Sequence, residues 1–237
     1  MNERLAEYTD IYQTEIERLS LRFESSSVDE ILEWAVERFA PRLVMTSNFG
    51  AEGIVVIDKL ARIASQTPVV YLDTGFQFEA TDRLKEQIRE RFRIELIEQR
   101  AELSVDAQNR QYGEKLYRRD PDLCCRLRKV EPLKKALAGY DGWIAALRRD
   151  QSPTRAKIGI VEWNKKHGLV KIHPLAAWTR RDVWDYIMRN RLPYHPLYDD
   201  GYASIGCEPC TSRVAAGEHE RSGRWEGQGK MECGIHL

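Results

Sequence analysis

Apolar residues recur along the chain with two different periods, and the alternation between them outlines the fold. Residues 1–22 place apolar positions every three to four residues among charged ones, the pattern of an amphipathic helix. Ser27 opens a second helix: with Glu30 it forms S-x-x-E, a capping box, and Ile31, Leu32, Ala35, Val36 and Phe39 then share one face. Short apolar runs at 43–46, 69–72 and 94–97 read as buried strands, and helical patterns fill 54–63 and 78–91 between them. That strand, loop, helix, strand rhythm predicts an α/β fold with a doubly wound, mainly parallel sheet. Residues 143–147 predict a further buried strand, with more candidates at 158–161 and 169–172. Thr179 begins T-R-R-D, a cap for a helix carrying Val183, Trp184, Ile187 and Met188, which the stretch 190–193 stops. Beyond it the chain is rich in Tyr, Pro and Gly, and irregular structure is expected, with at most a short helix after Cys210.

Charge narrows the partners. The 37 basic and 37 acidic side chains cancel, which argues against binding nucleic acid through a net basic surface. No apolar run has membrane-spanning length, and the charged start lacks the apolar core of a signal peptide, so neither membrane association nor export is expected. The basic residues are unevenly placed, however. Arg126, Arg128, Lys129, Lys134 and Lys135 follow a cysteine pair, and Arg148, Arg149 and Arg155 gather after an apolar run. Alone, such runs are solvated helix faces; beside chemical features they become candidate anion ligands.

Open parallel sheets bind ligands beyond the carboxyl ends of their strands. The loops expected there are SNFGAEG (47–53) and LDTG (72–75). The first combines small residues with a helix N-terminus, which suits a phosphate approached by free N–H groups, or is simply a tight turn. It is neither a Walker loop nor the S-G-G-x-D-[ST] loop of ATP pyrophosphatases. Five cysteines occur, and in a chain without an export signal they point to metal or redox chemistry. Cys124–Cys125 with Cys207-x-x-Cys210 supply four thiolates, suited to zinc or to an iron–sulfur cluster. Adjacent cysteines diverge in direction, which favours a cluster with separate iron corners over one ion. Cys233 lies in the glycine-flanked tail KMECGIHL, a mobile nucleophile or an incidental thiol, with His236 and arginines as candidate stabilisers of its thiolate.

From about residue 44 onward, in order, the segments SNFGAEG, LDTG, CCRLRKVEPLKKAL, LRRDQSPTR, IHPLAAWTRRDVWDYI, NRLPYHPLYDDGYASIGCEPCT, GEHERSGRW and ECGIH resemble the adenylyl-sulfate and phosphoadenylyl-sulfate reductases, in their iron–sulfur assimilatory branch. The resemblance implies a fold like that of the adenine-nucleotide α hydrolases. The chain itself divides into N-terminal helices (1–40), of which the first falls outside the resemblance, an α/β nucleotide-binding body (41–192) and a cluster-binding, catalytic tail (193–237), in one structural domain. It implies one 4Fe–4S cluster on Cys124, Cys125, Cys207 and Cys210, and Cys233 as the nucleophile, with His236 and Lys129 beside it. Lys129 would bridge cluster and substrate. Ser47, Gly50, Leu72, Asp73, Arg221 and Arg224, with Arg148, Arg149 or Arg155, would hold the substrate. The implied reaction converts adenosine 5′-phosphosulfate to sulfite and AMP through an S-sulfocysteine, with thioredoxin or glutaredoxin as electron donor, in the cytoplasm. The rivals are the 3′-phosphorylated substrate, a non-catalytic zinc or cluster module that binds nucleotide, and an adenylate-forming pyrophosphatase. A homo-oligomer is left open by the sequence.

Overall fold

The structure is a computed structural model that describes residues 3–215 and 217–236; side chains are described from residue 13 onward. The chain opens with α1 (Glu3–Arg22) and α2 (Val28–Phe39). The predicted capping box is present: Ser27 Oγ accepts from the Glu30 N–H at 3.2 Å while the Glu30 carboxylate accepts from the Ser27 N–H at 2.6 Å. The expected start of α1 at residues 1 and 2 lies outside the described residues. Then come β1 (Leu43–Thr46), α3 (Ala51–Ala64), β2 (Val69–Asp73), α4 (Glu79–Phe92) and β3 (Leu96–Arg100), two successive βαβ units.

Four short helices follow where the hydrophobic pattern shows no clear period: α5 (Val105–Tyr112), α6 (Leu116–Arg119), α7 (Pro121–Cys125) and α8 (Glu131–Ala136), with one π-helical turn (Arg126–Val130) between the last two. Their signals are local. Ser104 caps α5 through the Ala107 N–H, and Asp120 before Pro121 caps α7 through the Leu123 N–H. Asp at the cap with Pro at the first helical position is a recognised start. The remaining elements are β4 (Gly142–Ala145), β5 (Val161–Asn164), β6 (Leu169–Ile172) and α9 (Arg180–Arg189), capped by Thr179 as expected.

The strands form one sheet in the order β3-β2-β1-β4-β6-β5, parallel throughout except for the β5–β6 hairpin at one edge. Side chains alternate between its faces. Leu43, Met45, Val69, Tyr71, Ile144, Val170 and Ile172 pack under α2, α3, α4 and α9, whereas Val44, Val70, Trp143, Ala145 and Leu169 pack with Leu133 and Leu137 on the α8 side. Three strand expectations shift in register. The runs at 94–97, 143–147 and 158–161 become strands at Leu96–Arg100, Gly142–Ala145 and Val161–Asn164, because pairing with neighbours, not apolarity, sets strand ends. Past α9, single turns of 3₁₀ helix at Pro196–Tyr198 and Glu208–Cys210 and one isolated bridge, Thr211 to Arg224, are the only regular features among the described residues. The expected turn thus ends at Cys210 instead of following it.

Candidate active site

Chain order reverses at β1: β2 and β3 lie to one side of it, β4 and β6 to the other. A crevice opens at such a switch point beyond the carboxyl ends of the strands. Here it is a cavity of about 180 Å³. Thr46 and Ser47 at the end of β1, Leu72 and Thr74 at the end of β2, and Ala145 to Leu147 at the end of β4 make its floor. The described residues from 193 onward fold over it and bring Cys207, Arg221, Arg224, Cys233 and His236 to the same space, where Lys129 meets them.

In the loop at 47–53 three successive N–H groups are bonded within the protein. The Phe49 N–H bonds Ser47 Oγ (3.0 Å), that of Gly50 bonds Asn48 Oδ1 (3.3 Å), and that of Ala51 bonds the Tyr198 hydroxyl (3.2 Å). The glycine at position 53 answers a different need: a side chain there would collide with Ser47 Oγ. Ser47 and Gly50 still line the cavity, beside two carboxylates, Glu52 and Glu220. Burial, with Glu52 adjacent, raises the Glu220 carboxyl above its ordinary range.

The arginines divide. Arg148 is fully buried and spends its guanidinium on Glu52 (2.9 Å), Glu220 (2.8 Å) and Asp150. Arg149 is turned outward onto Glu24 and the Ile158 carbonyl. Arg155 is committed to Gln151 and Glu232. Each guanidinium nitrogen of the three is bonded within the protein, and of the three only Arg155 lines the cavity, where Nη1 and Nη2 each keep a second N–H. Asp73 likewise faces away, bonded to Arg100 and the Gly75 N–H. Arg221 and Arg224 do line the cavity. Arg221 keeps a buried, unpaired Nε, and burial, then the charge of Arg155, pushes its pKa down. Arg224 reaches the carbonyls of Cys210 and Ile205, both at 3.3 Å, across Gly206, where any side chain would collide with the guanidinium.

Four cysteines converge. Cys124 and Cys125, at the end of α7, share a small second cavity with Cys207 and Cys210. Burial pushes the Cys124 and Cys210 thiols up to about 12 and about 11, and Cys125 upward too. Burial acts the same way on Cys207, but Lys129, a Thr74 hydroxyl at 3.3 Å and Arg224 outweigh it and hold this thiol below its usual value. Lys129 is opposed by burial, yet Cys207, Cys233 and Cys125 around its ammonium hold it above the ordinary lysine range. Arg128 Nη2 and Trp225 Nε1 are buried without partners at this cluster of sulfurs, donors of the kind that thiolates accept. Among the described residues no group of His, Cys, Asp or Glu is arranged for a single metal ion. A multi-iron cluster needs no such convergence on one point and supplies the positive charge that keeps thiolates ionised. The residues present fit it.

Cys233 lines the larger cavity and packs against the cluster of Trp225, Cys125 and Cys210. His236 lines the larger cavity too. Its ring stacks on Trp143 (centroids 5.6 Å apart, 17° between planes), and burial followed by Lys171 drives its pKa far down, which disfavours the imidazolium form.

Residues 42–213 match the phosphoadenosine phosphosulfate reductase domain, most of the chain. The chain belongs to that family. It is 47% identical to a phosphoadenosine 5′-phosphosulfate reductase of Gloeobacter violaceus over 95% of each chain, and 44% identical to adenosine 5′-phosphosulfate reductase 2 of Bacillus subtilis over 100% of this chain and 99% of that one. An adenosine 5′-phosphosulfate reductase of Halalkalibacterium halodurans is 43% identical over 94% and 97%. The solved phosphoadenylyl-sulfate reductase of Candida auris, a phosphate complex, superposes with a TM-score of 0.75 at 29% identity, covering 85% of this chain and 97% of that one. An FMN adenylyltransferase of Candida glabrata shares the fold alone (TM-score 0.54, 13% identity, 81% and 69% covered). The α/β expectation therefore stands at both levels, as topology and as the sulfonucleotide reductase fold.

Several side chains of this site carried no sequence signal of their own. Glu52, Tyr198, Glu220 and Glu232 read as surface residues in a charged chain, and only burial sets them apart. Trp225 was visible as an aromatic among arginines, but not as the ring over which Lys129, Arg221, Arg224 and Lys230 all lie, 4.6 to 5.9 Å from its centroid.

Proposed function

We propose that this reductase converts adenosine 5′-phosphosulfate to sulfite and AMP with Cys233 as nucleophile. The observation that carries the reading is the position of Lys129, whose ammonium is shared among Cys207, Cys125 and Cys233 and so joins the four-cysteine cavity to the tail thiol. In the first step Cys233 Sγ attacks the sulfonyl sulfur, the bond from that sulfur to the bridging phosphate oxygen breaks, and AMP leaves with the bonding pair. Negative charge is then held on both sides of the breaking bond, where Lys129, Arg221 and Arg224 stand preorganised. In the second step one thiol of a dithiol protein, thioredoxin or glutaredoxin, attacks the S-sulfocysteine. Sulfite departs, and the second thiol closes a disulfide and frees Cys233; the dithiol supplies both electrons.

Cys124, Cys125, Cys207 and Cys210 would hold one 4Fe–4S cluster. When bound, it supplies a local charge that orders Lys129 and shapes the field on the sulfonate. The cytoplasm is the compartment in which five free cysteines stay reduced. Among the described residues no helix is long and apolar enough to cross a membrane.

The names of the relatives divide between the two nucleotides, so the choice rests on the wall formed by Glu52 and Glu220. Glu52 and Glu220 occupy the Arg148 guanidinium and turn acceptors, not donors, to the cavity, which disfavours a further phosphate. The test is sulfite release from each nucleotide with reduced thioredoxin, using anaerobic protein assayed for iron and sulfide. The unphosphorylated nucleotide is expected to give much the higher kcat/KM, with about four irons and four sulfides per chain. Equal or reversed preference removes the substrate assignment, and one zinc without sulfide removes the cluster.

A further inference from the structure

Basic side chains around the site have two kinds of counterpart. Arg148 and Arg149 meet carboxylates, Glu52 with Glu220 and Glu24, and those oxygens occupy N–H groups that an anionic ligand would need. Lys129 and Arg224 meet the indole of Trp225 instead, 5.7 and 4.6 Å from its ring centroid, with Arg221 at 5.9 Å and Lys230 at 5.7 Å. A cation at such a distance is attracted by the negative face of the ring, most strongly at tryptophan and where water is excluded. Trp225 is buried at the wall of the cavity, with Cys125 and Cys210 packed against it. Its backbone is left-handed (φ 50°), a conformation that a bulky residue keeps only where its surroundings enforce it. They do so here: the Trp225 N–H donates to the Cys210 carbonyl at 3.1 Å, and the Trp225 carbonyl accepts from the Gln228 N–H at 2.9 Å.

Like charges crowd at this wall. Burial and then the charge of Arg155, with Arg224 adding to it, lower the Arg221 pKa. A carboxylate would relieve the repulsion but would take up the donors. An indole face offsets it without a lone pair that accepts, and N–H groups stay available to a ligand. Arg224 shows the division: Nε and Nη1 go to two carbonyls, the guanidinium carbon lies over the ring, and the side chain still lines the cavity. Arg221 lines it likewise, with its Nε buried and unpaired. We propose that Trp225 is a positioning residue whose ring face gathers Lys129, Arg221 and Arg224 at the cavity, so that it sets affinity for the anionic end of the nucleotide and not for the nucleoside. The inference rests on that end meeting these three cations, as the proposed reaction requires.

The test uses cluster-loaded enzyme and measures calorimetric binding of adenosine and of AMP, neither of which carries a sulfonate to react, beside KM for adenosine 5′-phosphosulfate. Site-specific replacement of Trp225 by mono-, di- and trifluorinated tryptophan keeps the ring's size and its N–H while weakening its negative face step by step. The AMP dissociation constant is expected to rise with each fluorine. In Trp225→Leu it should rise by about ten- to thirtyfold, the fold-change for loss of a desolvated cation–π contact. Trp225→Phe should fall between wild type and Trp225→Leu, and KM for the phosphosulfate should follow the same order. Adenosine, which carries no anion, should bind as it does to wild type, and iron and sulfide content should stay constant across the fluorinated series. A flat AMP series in folded, cluster-loaded protein overturns the proposal. So does an equal loss for adenosine, because the ring then holds the base directly. If Trp225→Leu fails to fold or loses iron, the fluorinated series carries the measurement. Wild-type enzyme that binds AMP but releases no sulfite strikes at the proposed reaction and leaves the comparison of AMP with adenosine intact; wild-type enzyme that does not bind AMP removes both.

Discussion

On the sheet side of the cavity, Val44, Met45, Val70 and Ile144 stand fully buried behind the loops that line it. On the tail side, beside apolar Ile205 and Trp225, charged groups are buried as well, Arg224 over the Trp225 ring and Glu232 against Arg155, with almost no regular structure. The two sides hold together by different physics. Aliphatic burial is non-directional and needs no partner of particular chemistry. A buried charge is stable only when its partners are in place, and a missing partner costs more than the pair itself contributes. Buried polar atoms without a partner occur on both sides, among them the Tyr71 hydroxyl in β2 and Gln108 Nε2 in α5; those on the tail side or at the cysteines, Arg221 Nε, Trp225 Nε1 and Arg128 Nη2, are donors of the kind an anionic ligand or a thiolate accepts.

The largest expected effect separates chemistry from scaffold outright. Cys233→Ser should lower sulfite release by about a thousandfold or more, because a serine hydroxyl is scarcely ionised at neutral pH. Its thermal midpoint and iron content should match wild type. Mass spectrometry of wild-type enzyme given substrate without dithiol should place the sulfonate on the tail peptide; an adduct on any other cysteine breaks the assignment.

Ile57→Ala should do the reverse. Ile57 is fully buried in α3, and emptying its space should cost about 2–5 kcal/mol in urea unfolding. Activity per folded molecule should be retained. A loss of activity without loss of stability would mean that the scaffold and the tail side are not separable.

Acid should find a buried histidine that ties the start of the tail to α4. His195 bonds Thr81 at 3.0 Å through Nε2, accepts from the Leu197 N–H through Nδ1, and burial pushes its pKa down to about 4. The unfolded chain binds a proton near pH 6.5 that the folded chain refuses, so this contribution is complete above that pH and is lost as pH falls toward 4. Integrated over the window it amounts to about 3 kcal/mol at most. Unfolding midpoints between pH 7 and 4.5 should therefore fall less steeply in His195→Gln than in wild type; parallel curves would remove His195 from the account.

The smallest effect marks where charge stops mattering. Lys135 meets Glu102 at 3.0 Å, with both side chains largely in water. Lys135→Ala should change stability by about 0.5 kcal/mol or less, against the much larger consequence expected at the enclosed Glu232. A shift of several kcal/mol there would erase the contrast between exposed and buried pairs.

Most of the scaffold was legible from residue pattern. The caps at Ser27 and Thr179 and the strands at 43–46 and 169–172 fall where the sequence places them, because capping and period-two burial are local rules. The helices between β3 and β4 were not read, since their apolar residues lack a long period and their evidence was confined to caps at Ser104 and Asp120. The site was legible as residue types. The four cysteines, Lys129, Arg221, Arg224 and Cys233 do meet at the switch point, although they come from segments about a hundred residues apart in the chain.

What the sequence determined alone is what local chemistry and pattern determine: an α/β body, two cysteine pairs and a tail thiol. Which basic residues face the ligand was decided by tertiary structure. Arg148, Arg149 and Arg155 are near neighbours in one short segment, yet they end on three different carboxylate sets, Glu52 with Glu220 and Asp150, Glu24, and Glu232. Nothing in the segment distinguishes them, because a guanidinium's role is set by the acceptor that burial leaves within reach. For these three that acceptor comes from α3, from the turn after α1 and from the tail, positions that only the folded chain brings together.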